Sequence, residues 1–501
     1  MTEFELKFEI PSANLKGVTA ALTEGKLIRR RFQASYFDTA DGALAADGIE
    51  VRLRKEGRRW VQTAKRRTAD LLARLEHSID LPLHSAGDMP TLDLSRHRGG
   101  PIGKLIDKAL GLKRNQSYPK LELLYSTDVQ RITKSTTSGV SVLEVTLDHG
   151  RIFCDAKSRP ICELEVELKR GVPLDAVKLA RQMCAAHGLW VSTISKSIKG
   201  QRLCSLRPFK TALSAASLSF PRHASGQDMI TAVVKDCLHQ ILPNMSELAD
   251  SSKNAEHIHQ LRVGIRKLRT ALRELGKFAH AHAHAHAHAL NPVWEAALVK
   301  VFRILGTCRD HSHLALVLQP QWLAAGGPAI DSDAAADKLP DVGLAVRAPE
   351  FQDALLGLLC FVHTGAPKEL GRPGALKKEI SADLDKLHRN ALRFGKKFSA
   401  SSQTQQHNVR KRFKRLRYLI EFASPLFAAR KVHALTAALK PVQDALGLYN
   451  DELMALQTLG VLAADDPRAW FGVGWLTARI EGNVKGCVKE IKNFASVQPF
   501  W

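Results

Sequence analysis

The sequence lacks both a long apolar run and a secretion signal. No segment approaches the roughly 18–20 consecutive apolar residues that a helix needs to cross a bilayer, which argues against an integral membrane protein. The first ten residues, MTEFELKFEI, alternate polar and apolar side chains, and no basic segment precedes an apolar one. We therefore expect a cytoplasmic protein.

Paired cysteines and aromatic residues are also scarce. The eight cysteines are scattered and none belongs to a CxxC pair, so the sequence predicts reduced thiols and no zinc site. Aromatic residues make up 6% of the chain and no base-readout motif is present, which argues against a surface that stacks on nucleic-acid bases. Hydrophobic residues make up 45% of the 501 positions, enough for the buried cores of roughly two to four domains.

Acidic residues are clearly outnumbered by basic ones. The chain has 50 Asp and Glu against 73 Lys and Arg, which gives a formal net charge of +23. A balance this basic indicates a polyanionic partner: nucleic acid, an anionic membrane surface or a phosphate polymer.

The two halves of the chain differ in their hydrophobic periodicity. Residues 1–205 alternate with period two, as in 3–8, 51–54 and 162–169, which predicts strands, with helices over 15–22, 102–110 and 174–187. Residues 206–221 are rich in Ser, Ala and Pro and are interpreted as a linker. Residues 222–501 show period 3.6 throughout, which predicts a bundle of antiparallel helices. The expected fold class is α+β.

Charged side chains recur at strand spacing in the first half. Residues two apart in a strand share a face, and the sequence has two acidic pairs and one basic pair at this spacing: Glu3 and Glu5, Glu163 and Glu165, Arg52 and Arg54. One such strand equally fits an ordinary solvated sheet face. If the sheet closes with these faces inward, carboxylates that suit Mg²⁺ or Mn²⁺ would share an interior with cations that clamp phosphate.

The second half contains an internal repeat of basic residues. The spacing His-x2-Arg-x3-Arg-x2-Arg at His259, Arg262, Arg266 and Arg269 recurs at His407, Arg410, Lys414 and Arg417. Each set follows one helix face, and few acids neutralise it. Like charges one turn apart destabilise a helix, so we expect these stripes to bind a polyanion rather than to form a plain solvated surface.

The first half resembles the CYTH superfamily of triphosphate tunnel metalloenzymes. The similarity starts at the ExExK pattern Glu3-x-Glu5-x-Lys7 and continues through residues 36–39, 51–54, 147–150, 163–169 and 195–197. The resemblance implies an eight-stranded antiparallel β tunnel that acts on triphosphates with Mg²⁺ or Mn²⁺.

The same resemblance assigns roles to residues. It implies metal ligands at Glu3, Glu5, Asp148, Glu163 and Glu165. It implies triphosphate binding by Lys7, Arg52, Arg54, Lys65, Arg131 and Lys196, and activation of water by the pair Lys65 and Tyr36.

The second half, 222–501, resembles the CHAD domain, a helical domain named for its conserved histidines. The similarity lies in residues 259–269, 309–310, 407–418 and 443–451. It implies two four-helix units around a basic channel that binds inorganic polyphosphate through His259, Arg262, Arg266, Arg269, His407, Arg410, Lys414 and Arg417. Asp444, Asn450 and Asp451 would either orient the arginines or cap helices.

The order of the two halves resembles that of bacterial CYTH–CHAD inorganic triphosphatases. The expected function is hydrolysis of tripolyphosphate in the tunnel, with long-chain polyphosphate as a partner and polyphosphate granules as a location within the cytoplasm. Two alternatives stay open: a non-catalytic protein that targets polyphosphate granules, and an enzyme that acts on thiamine triphosphate or ATP. Nucleic acid and membranes are not expected partners. The tract AHAHAHAHAHA at 279–289 is interpreted as a tolerated expansion, with transition-metal binding as the alternative.

Overall fold

The computed structural model divides the chain into two compact units. The sheet unit consists of Met1–Ala212, Met245–Ser252 and Arg347–His363, and the helical unit consists of Leu213–Asn244, Lys253–Val346 and Thr364–Trp501. The structure describes residues 2–23, 27–67, 73–82, 89–113, 116–204, 209, 211–215, 218–221, 224–280, 292–330, 339–364 and 374–501.

Antiparallel strands form a single sheet in the sheet unit, as the alternating pattern predicts. Their bounds are β1 Thr2–Glu9, β2 Ile28–Asp38, β3 Ile49–Glu56, β4 Arg59–Arg67, β5 Ala73–Leu81, β6 Glu122–Ser138, β7 Ser141–Cys154, β8 Lys157–Arg170 and β9 Trp190–Val191.

The sheet closes on itself. Neighbouring strands pair in the order β5-β4-β3-β2-β6-β7-β8-β1, and β1 also pairs with β5. Eight strands thus enclose an interior, which we call the tunnel. The sheet contains nine described strands, one more than the predicted eight. The additional strand, β9, pairs with the end of β1, and its two residues are too few to produce an alternation in the sequence.

Five α-helices accompany the strands in the described part of the first 205 residues. They are α1 Leu15–Thr23, α2 Ala43–Ala46, α3 Pro101–Ala109, α4 Pro173–His187 and α5 Lys196–Leu203. Apolar side chains of β3 and β4 pack with those of α2 and α3 in a core that includes Leu44, Val51, Ala64 and Ile102. This core covers the outer face of the sheet. Because neighbouring positions of a strand point to opposite faces, Arg52 and Arg54 on either side of Leu53 point into the tunnel.

Helix α5 closes one end of the tunnel. Tyr36, Tyr125 and Ile152 belong to an apolar cluster inside the sheet, and Leu203 and Cys204 at the end of α5 pack against it. The fit is close, since a β-carbon on Gly200 would lie 2.3 Å from the Tyr125 ring.

A disulfide ties the end of α5 to the sheet. Cys154 at the end of β7 is bonded to Cys204, with 5.5 Å between their Cα atoms. The prediction that all eight cysteines are reduced was therefore wrong for this pair. Fifty positions separate the two cysteines, so no local spacing in the sequence indicates that they meet.

The described elements after residue 205 are all helices, which confirms the expected all-α second half. The helices are α6 Gly226–Ala249, α7 Ala255–His280, α8 Pro292–His313, α9 Gln319–Ala324, α10 Val342–Arg347, α11 Pro349–His363, α12 Ala375–Gly395, α13 Gln403–Ala423, α14 Ala429–Leu462 and α15 Ala469–Ala495. A π-helical segment, Leu314–Leu318, connects α8 with α9.

Helices α12 to α15 form a four-helix bundle, in which α12 packs on α13 and α15, and α14 packs on α13 and α15. Helix α7 packs on α8 and on α13, and α8 packs on α14. Helix α11 belongs to the sheet unit, where Asp353 accepts two hydrogen bonds from Arg181 of α4, at 2.6 and 2.9 Å.

The histidine–alanine tract begins at the last turn of α7, and residues 281–289 lie outside the described residues. Among the helices that the structure describes, none is both long enough and apolar enough to cross a membrane.

Candidate functional sites

An acidic wall lines the tunnel on β1, β7 and β8. Cross-strand pairing places its carboxylates in rows, because directly opposed residues share a face. Glu9, Glu163 and Asp148 form one row, and Glu5, Glu167 and Glu144 form another. Lys7 lies opposite Glu165 between these rows. Glu3 belongs to β1 and its backbone pairs with Arg74, but its side chain lies outside the described residues.

A basic wall lies on β3, β4 and β6. Arg52 and Arg54 point inward from β3, Lys65 from β4 and Arg131 from β6. Acids on the same strand or on the next one partly neutralise them: Glu50 with Arg52, Glu56 with Arg54, and Glu76 of β5 with Lys65. Burial, together with Arg52, lowers the pKa of Arg54 to about 10.

Three buried nitrogen atoms in the tunnel have no hydrogen-bond acceptor in the part of the chain that the structure describes. The Nε atoms of Arg52 and Arg54 and the Nζ atom of Lys7 are buried, and none has a hydrogen-bond partner among the described residues. Burial lowers the pKa of Lys7 to about 8. Since native structures leave few buried donors unpaired, these three atoms indicate an anionic ligand in the tunnel.

Lys196 connects α5 to the acidic wall. Its Nζ atom lies 2.8 Å from Asp148, 2.7 Å from Glu163 and 2.8 Å from Glu165. Burial would lower the pKa of Lys196, but the three carboxylates outweigh it and raise the pKa well above its usual value. Arg131 binds Asp148 with two hydrogen bonds, at 2.7 and 2.6 Å, and reaches Glu165 at 3.2 Å. The structure thus brings the predicted phosphate ligands Lys196 and Arg131 together with three predicted metal ligands.

The two residues predicted to activate water have different partners. Lys65 is paired with Glu76. The Tyr36 hydroxyl accepts a hydrogen bond from Arg52 at 3.4 Å, and its ring stacks on Tyr125 with 4.6 Å between centroids. These contacts place Tyr36 beside Arg52, one of the predicted phosphate ligands.

The donor set of the tunnel fits a divalent cation. Its acidic wall presents only carboxylate oxygens, the donors that Mg²⁺ and Mn²⁺ prefer. Asp148, Glu163 and Glu165 are all paired with Lys196, and no cluster of three or more acid, His or Cys side chains with metal-holding geometry occurs in the described part of the chain. Glu5 and Glu167, in the neighbouring row of the acidic wall, would hold a cation, which would neutralise phosphate charge.

The two basic stripes face each other in the helical unit. Burial of Arg410 on α13, together with the nearby charges of Arg262 and Arg266 on α7, lowers the pKa of Arg410 to about 10. Burial, Arg266, Arg410 and Arg417 lower the pKa of Lys414 to about 6. The Nε atoms of Arg262, Arg269 and Arg410 are buried without a hydrogen-bond partner among the described residues. We call this paired surface the basic channel.

Phe302 of α8 supports the α7 stripe. The guanidinium groups of Arg262, Arg266 and Arg269 lie 4.8, 5.4 and 5.7 Å from the centre of its ring. An aromatic face attracts cations, so Phe302 holds three arginines on one side without neutralising their charge.

Polar residues of α8 and α14 orient members of the basic channel. Asp451 accepts two hydrogen bonds from Arg309, at 2.9 and 2.7 Å, and Asp310 lies 3.5 Å from Arg262. His407 is 3.0 Å from Asn450. All these residues lie inside helices, so Asn450 and Asp451 orient side chains and are not helix caps. Asp444, also inside α14, pairs only with the exposed Lys440 among its described contacts.

The remaining stripe residues have local partners. Arg417 donates to Glu421 at 2.6 Å and to Gln443 at 2.9 Å, and Arg269 reaches Glu295 at 3.2 Å. Burial and nearby arginines lower the pKa of His259.

Sequence reasoning missed several residues of both sites. Glu9 continues the alternation of Glu3, Glu5 and Lys7, and Glu50 and Glu56 continue that of Arg52 and Arg54, so the same period-two signal could have identified them. Lys199 follows Lys196 by three positions, one helical turn. No pattern in a single sequence could have identified Phe302, because only the packing of α7 on α8 brings it under the arginines.

Two family models match the chain, the CYTH domain over residues 1–200 and the CHAD domain over residues 232–460. The chain is also similar to the CHAD domain of the plant Ricinus communis, with 23% identity, a TM-score of 0.48, and coverage of 57% of this chain and 98% of that one. A Hippeastrum protein with a dominant triphosphatase activity matches with 17% identity and a TM-score of 0.29, over 40% of this chain and 95% of that one. A Pyrococcus horikoshii protein matches with 15% identity and a TM-score of 0.24, over 38% and 96%.

Proposed function

Since the chain carries a CYTH domain followed by a CHAD domain, we propose that it is a metal-dependent triphosphatase that cleaves tripolyphosphate in the tunnel and binds long-chain polyphosphate in the basic channel. The observation that carries the first part is the set of buried donors without acceptors, Arg52 Nε, Arg54 Nε and Lys7 Nζ, which share an interior with the acidic wall.

The two walls of the tunnel suit opposite parts of one reaction. Phosphoryl transfer needs mainly alignment and neutralisation of charge on the phosphate oxygens. Arg52, Arg54 and Arg131 supply fixed donors that bind these oxygens and orient the chain of phosphates. The acidic wall supplies carboxylates for Mg²⁺ or Mn²⁺. Helix α5 and the apolar cluster around Tyr125 exclude water from one end, so attack by bulk water is restricted to the other end.

The polyphosphate part of the proposal follows from the unbalanced charge of the basic channel. Burial and neighbouring arginines lower the pKa values of Arg262, Arg410 and Lys414, so bringing α7 and α13 together costs electrostatic free energy. A linear polyanion would offset this cost along both stripes and would supply acceptors for the unpartnered Nε atoms.

A phosphate-release panel tests the enzymatic part. The purified chain is given tripolyphosphate, long-chain polyphosphate, ATP or thiamine triphosphate, each with Mg²⁺, Mn²⁺ or EDTA. We expect the highest kcat/KM with tripolyphosphate and none above background in EDTA. Faster release from ATP or thiamine triphosphate would assign an organic substrate instead, and no release from any of the four would indicate a non-catalytic polyphosphate-binding protein.

A further inference from the structure

Lys199 is a buried cation in the tunnel to which the sequence assigned no role. It lies on α5 one turn after Lys196, and only 2% of it is exposed. Its Nζ atom is 2.6 Å from Glu9 Oε1 and 2.6 Å from Glu163 Oε1. Burial would lower the pKa of Lys199, but the two carboxylates outweigh it and the pKa is raised.

These two carboxylates face each other on neighbouring strands. Glu9 of β1 is directly opposite Glu163 of β8, and like charges in that arrangement destabilise a sheet. Lys199 bridges them, so it neutralises a repulsion that the strand register imposes. Of the two, Glu163 is completely buried and therefore depends most on a cation partner.

Glu163 divides its two oxygens between different lysines. Lys199 and Lys7 lie 2.6 and 3.5 Å from Oε1, whereas Lys196 lies 2.7 Å from Oε2. If Lys196 binds a phosphate oxygen, it has to weaken its contacts with the carboxylates. A buried carboxylate that loses a close counter-charge is strongly destabilised. Lys199 remains on the other oxygen and prevents this loss.

We propose that Lys199 is a positioning residue, which holds Glu163 against β1 and thereby leaves Lys196 free to bind the triphosphate. This inference rests on the proposed function. Lys196 and Lys199 thus have separate roles although they lie one turn apart. Lys196 contacts the substrate, and Lys199 neutralises Glu163 of the acidic wall while Lys196 is bound to the substrate.

Binding without turnover tests this division. The dissociation constant of tripolyphosphate is measured by calorimetry in EDTA for the unmodified chain, Lys199→Met and Lys199→Arg, with the exposed Lys16→Met as matched control. We expect Lys199→Met to weaken binding at least tenfold, because Lys196 is then held by Glu163. Lys199→Arg retains the cation and should stay within threefold of the unmodified chain, and Lys16→Met should be unchanged.

The double variant Glu9→Gln with Lys199→Met separates positioning from net charge. It removes one charge of each sign, so it keeps the charge balance of the tunnel and protects the fold if Lys199→Met alone is unstable. We expect binding still at least fivefold weaker than in the unmodified chain, since Glu163 has lost its second partner. Binding restored to the unmodified value, or unaffected by a folded Lys199→Met, would overturn the role of Lys199. Failure of the unmodified chain to bind tripolyphosphate would instead overturn the proposed function, and this inference with it.

Discussion

Arg52 and Arg54 are the residues on which the tunnel proposal depends most directly. Both point inward between apolar residues of β3, and each has a buried Nε donor without an acceptor in the described part of the chain. We expect Arg52→Ala and Arg54→Ala each to raise KM and lower kcat for tripolyphosphate, at a cost of roughly 1.5–3 kcal/mol per lost charge-assisted contact. Steady-state phosphate release checks this, with the exposed Arg58→Ala as control. Unchanged kinetics in both variants would place the substrate elsewhere.

Lys414 gives the basic channel a pH dependence. Burial and neighbouring arginines lower its pKa to about 6, so the free protein holds this lysine mainly neutral at pH 7.5. A bound polyanion favours the charged form, and binding therefore takes up a proton. Polyphosphate affinity should fall as the pH rises from 6 to 8.

Calorimetry in two buffers of different ionisation enthalpy measures the proton uptake, which we expect to approach one proton per Lys414 site at pH 7.5. Lys414→Arg keeps the charge and should remove most of the uptake, whereas Lys440→Arg on the exposed face of α14 should not. Uptake that persists in Lys414→Arg would show that another group titrates.

The elements around the sheet contain a buried chain of hydrogen bonds that fixes two histidine tautomers. Gln62 of β4 accepts from the Asp93 backbone N–H and donates to its carbonyl, at 3.0 and 2.7 Å. The Gln62 amide nitrogen also lies 3.0 Å from His97 Nε2, which therefore accepts. His97 Nδ1 then donates to His77 Nδ1 of β5, at 2.9 Å. The arrangement requires both histidines to be neutral.

This chain makes the sheet unit sensitive to acid. Burial, together with the neighbouring His77, lowers the pKa of His97 from 6.5 to about 4. The unfolded chain binds a proton below pH 6.5 that the folded chain binds only near pH 4. The stabilisation from neutral His97 is thus complete above pH 6.5. It is lost as the pH falls to 4, which lowers the free energy of unfolding by about 3 kcal/mol.

Thermal unfolding of His97→Asn between pH 7.5 and 4.5 should show a smaller decline in Tm than the unmodified chain, and His433→Asn, on an exposed site, should match the unmodified chain. Equal declines in all three proteins would contradict this assignment.

The disulfide connects two elements that are remote in sequence, β7 and the end of α5. Closing a loop of 50 residues restricts the unfolded chain and stabilises the fold by up to about 4 kcal/mol. We expect Cys204→Ser to lower Tm under non-reducing conditions and a reductant to produce the same change in the unmodified chain. Cys162→Ser, which removes a free thiol, is the control. Eight titratable thiols in the unreduced, denatured protein would show that the bond does not form.

At the scale of the whole molecule, the two sites should be separable by substitution. Full-length variants suit this test better than fragments, because Met245–Ser252 and Arg347–His363 belong to the sheet unit. Glu5→Gln should abolish tripolyphosphate hydrolysis, since it removes charge where a divalent cation needs it, and should leave polyphosphate binding unchanged. Replacement of Arg262, Arg266, Arg410 and Lys414 by Gln should abolish polyphosphate binding and leave tripolyphosphate hydrolysis unchanged.

A pull-down on immobilised polyphosphate, with duplex DNA as competitor, measures the binding. The binding constant should fall steeply with salt. As for nucleic acids, the slope of its logarithm against the logarithm of salt concentration should be roughly −0.7 to −0.9 per phosphate neutralised. Equal displacement by equivalent amounts of DNA phosphate would identify the basic channel as a generic cationic surface.

The sequence by itself determined that strands occupy the first half and helices the second, and which side chains share a face of each predicted element. Alternation in residues 3–8, 51–54 and 162–169 fixes which side chains share a sheet face, because the strand period is two. The repeated spacing from His259 to Arg269 and from His407 to Arg417 likewise fixes two helix faces. These are local properties, in which a residue's direction depends on its near neighbours along the chain.

Only the tertiary structure decided which of these faces meet and which charges neutralise one another. The closure of β1 on β5, the opposition of Glu9 and Glu163, and the bond between Cys154 and Cys204 join residues that are far apart in sequence. The position of Lys199 depends on how α5 enters the end of the tunnel, and that of Phe302 on how α8 packs under α7. Periodicity cannot specify such contacts, because they depend on the packing of whole elements rather than on the order of residues within one element.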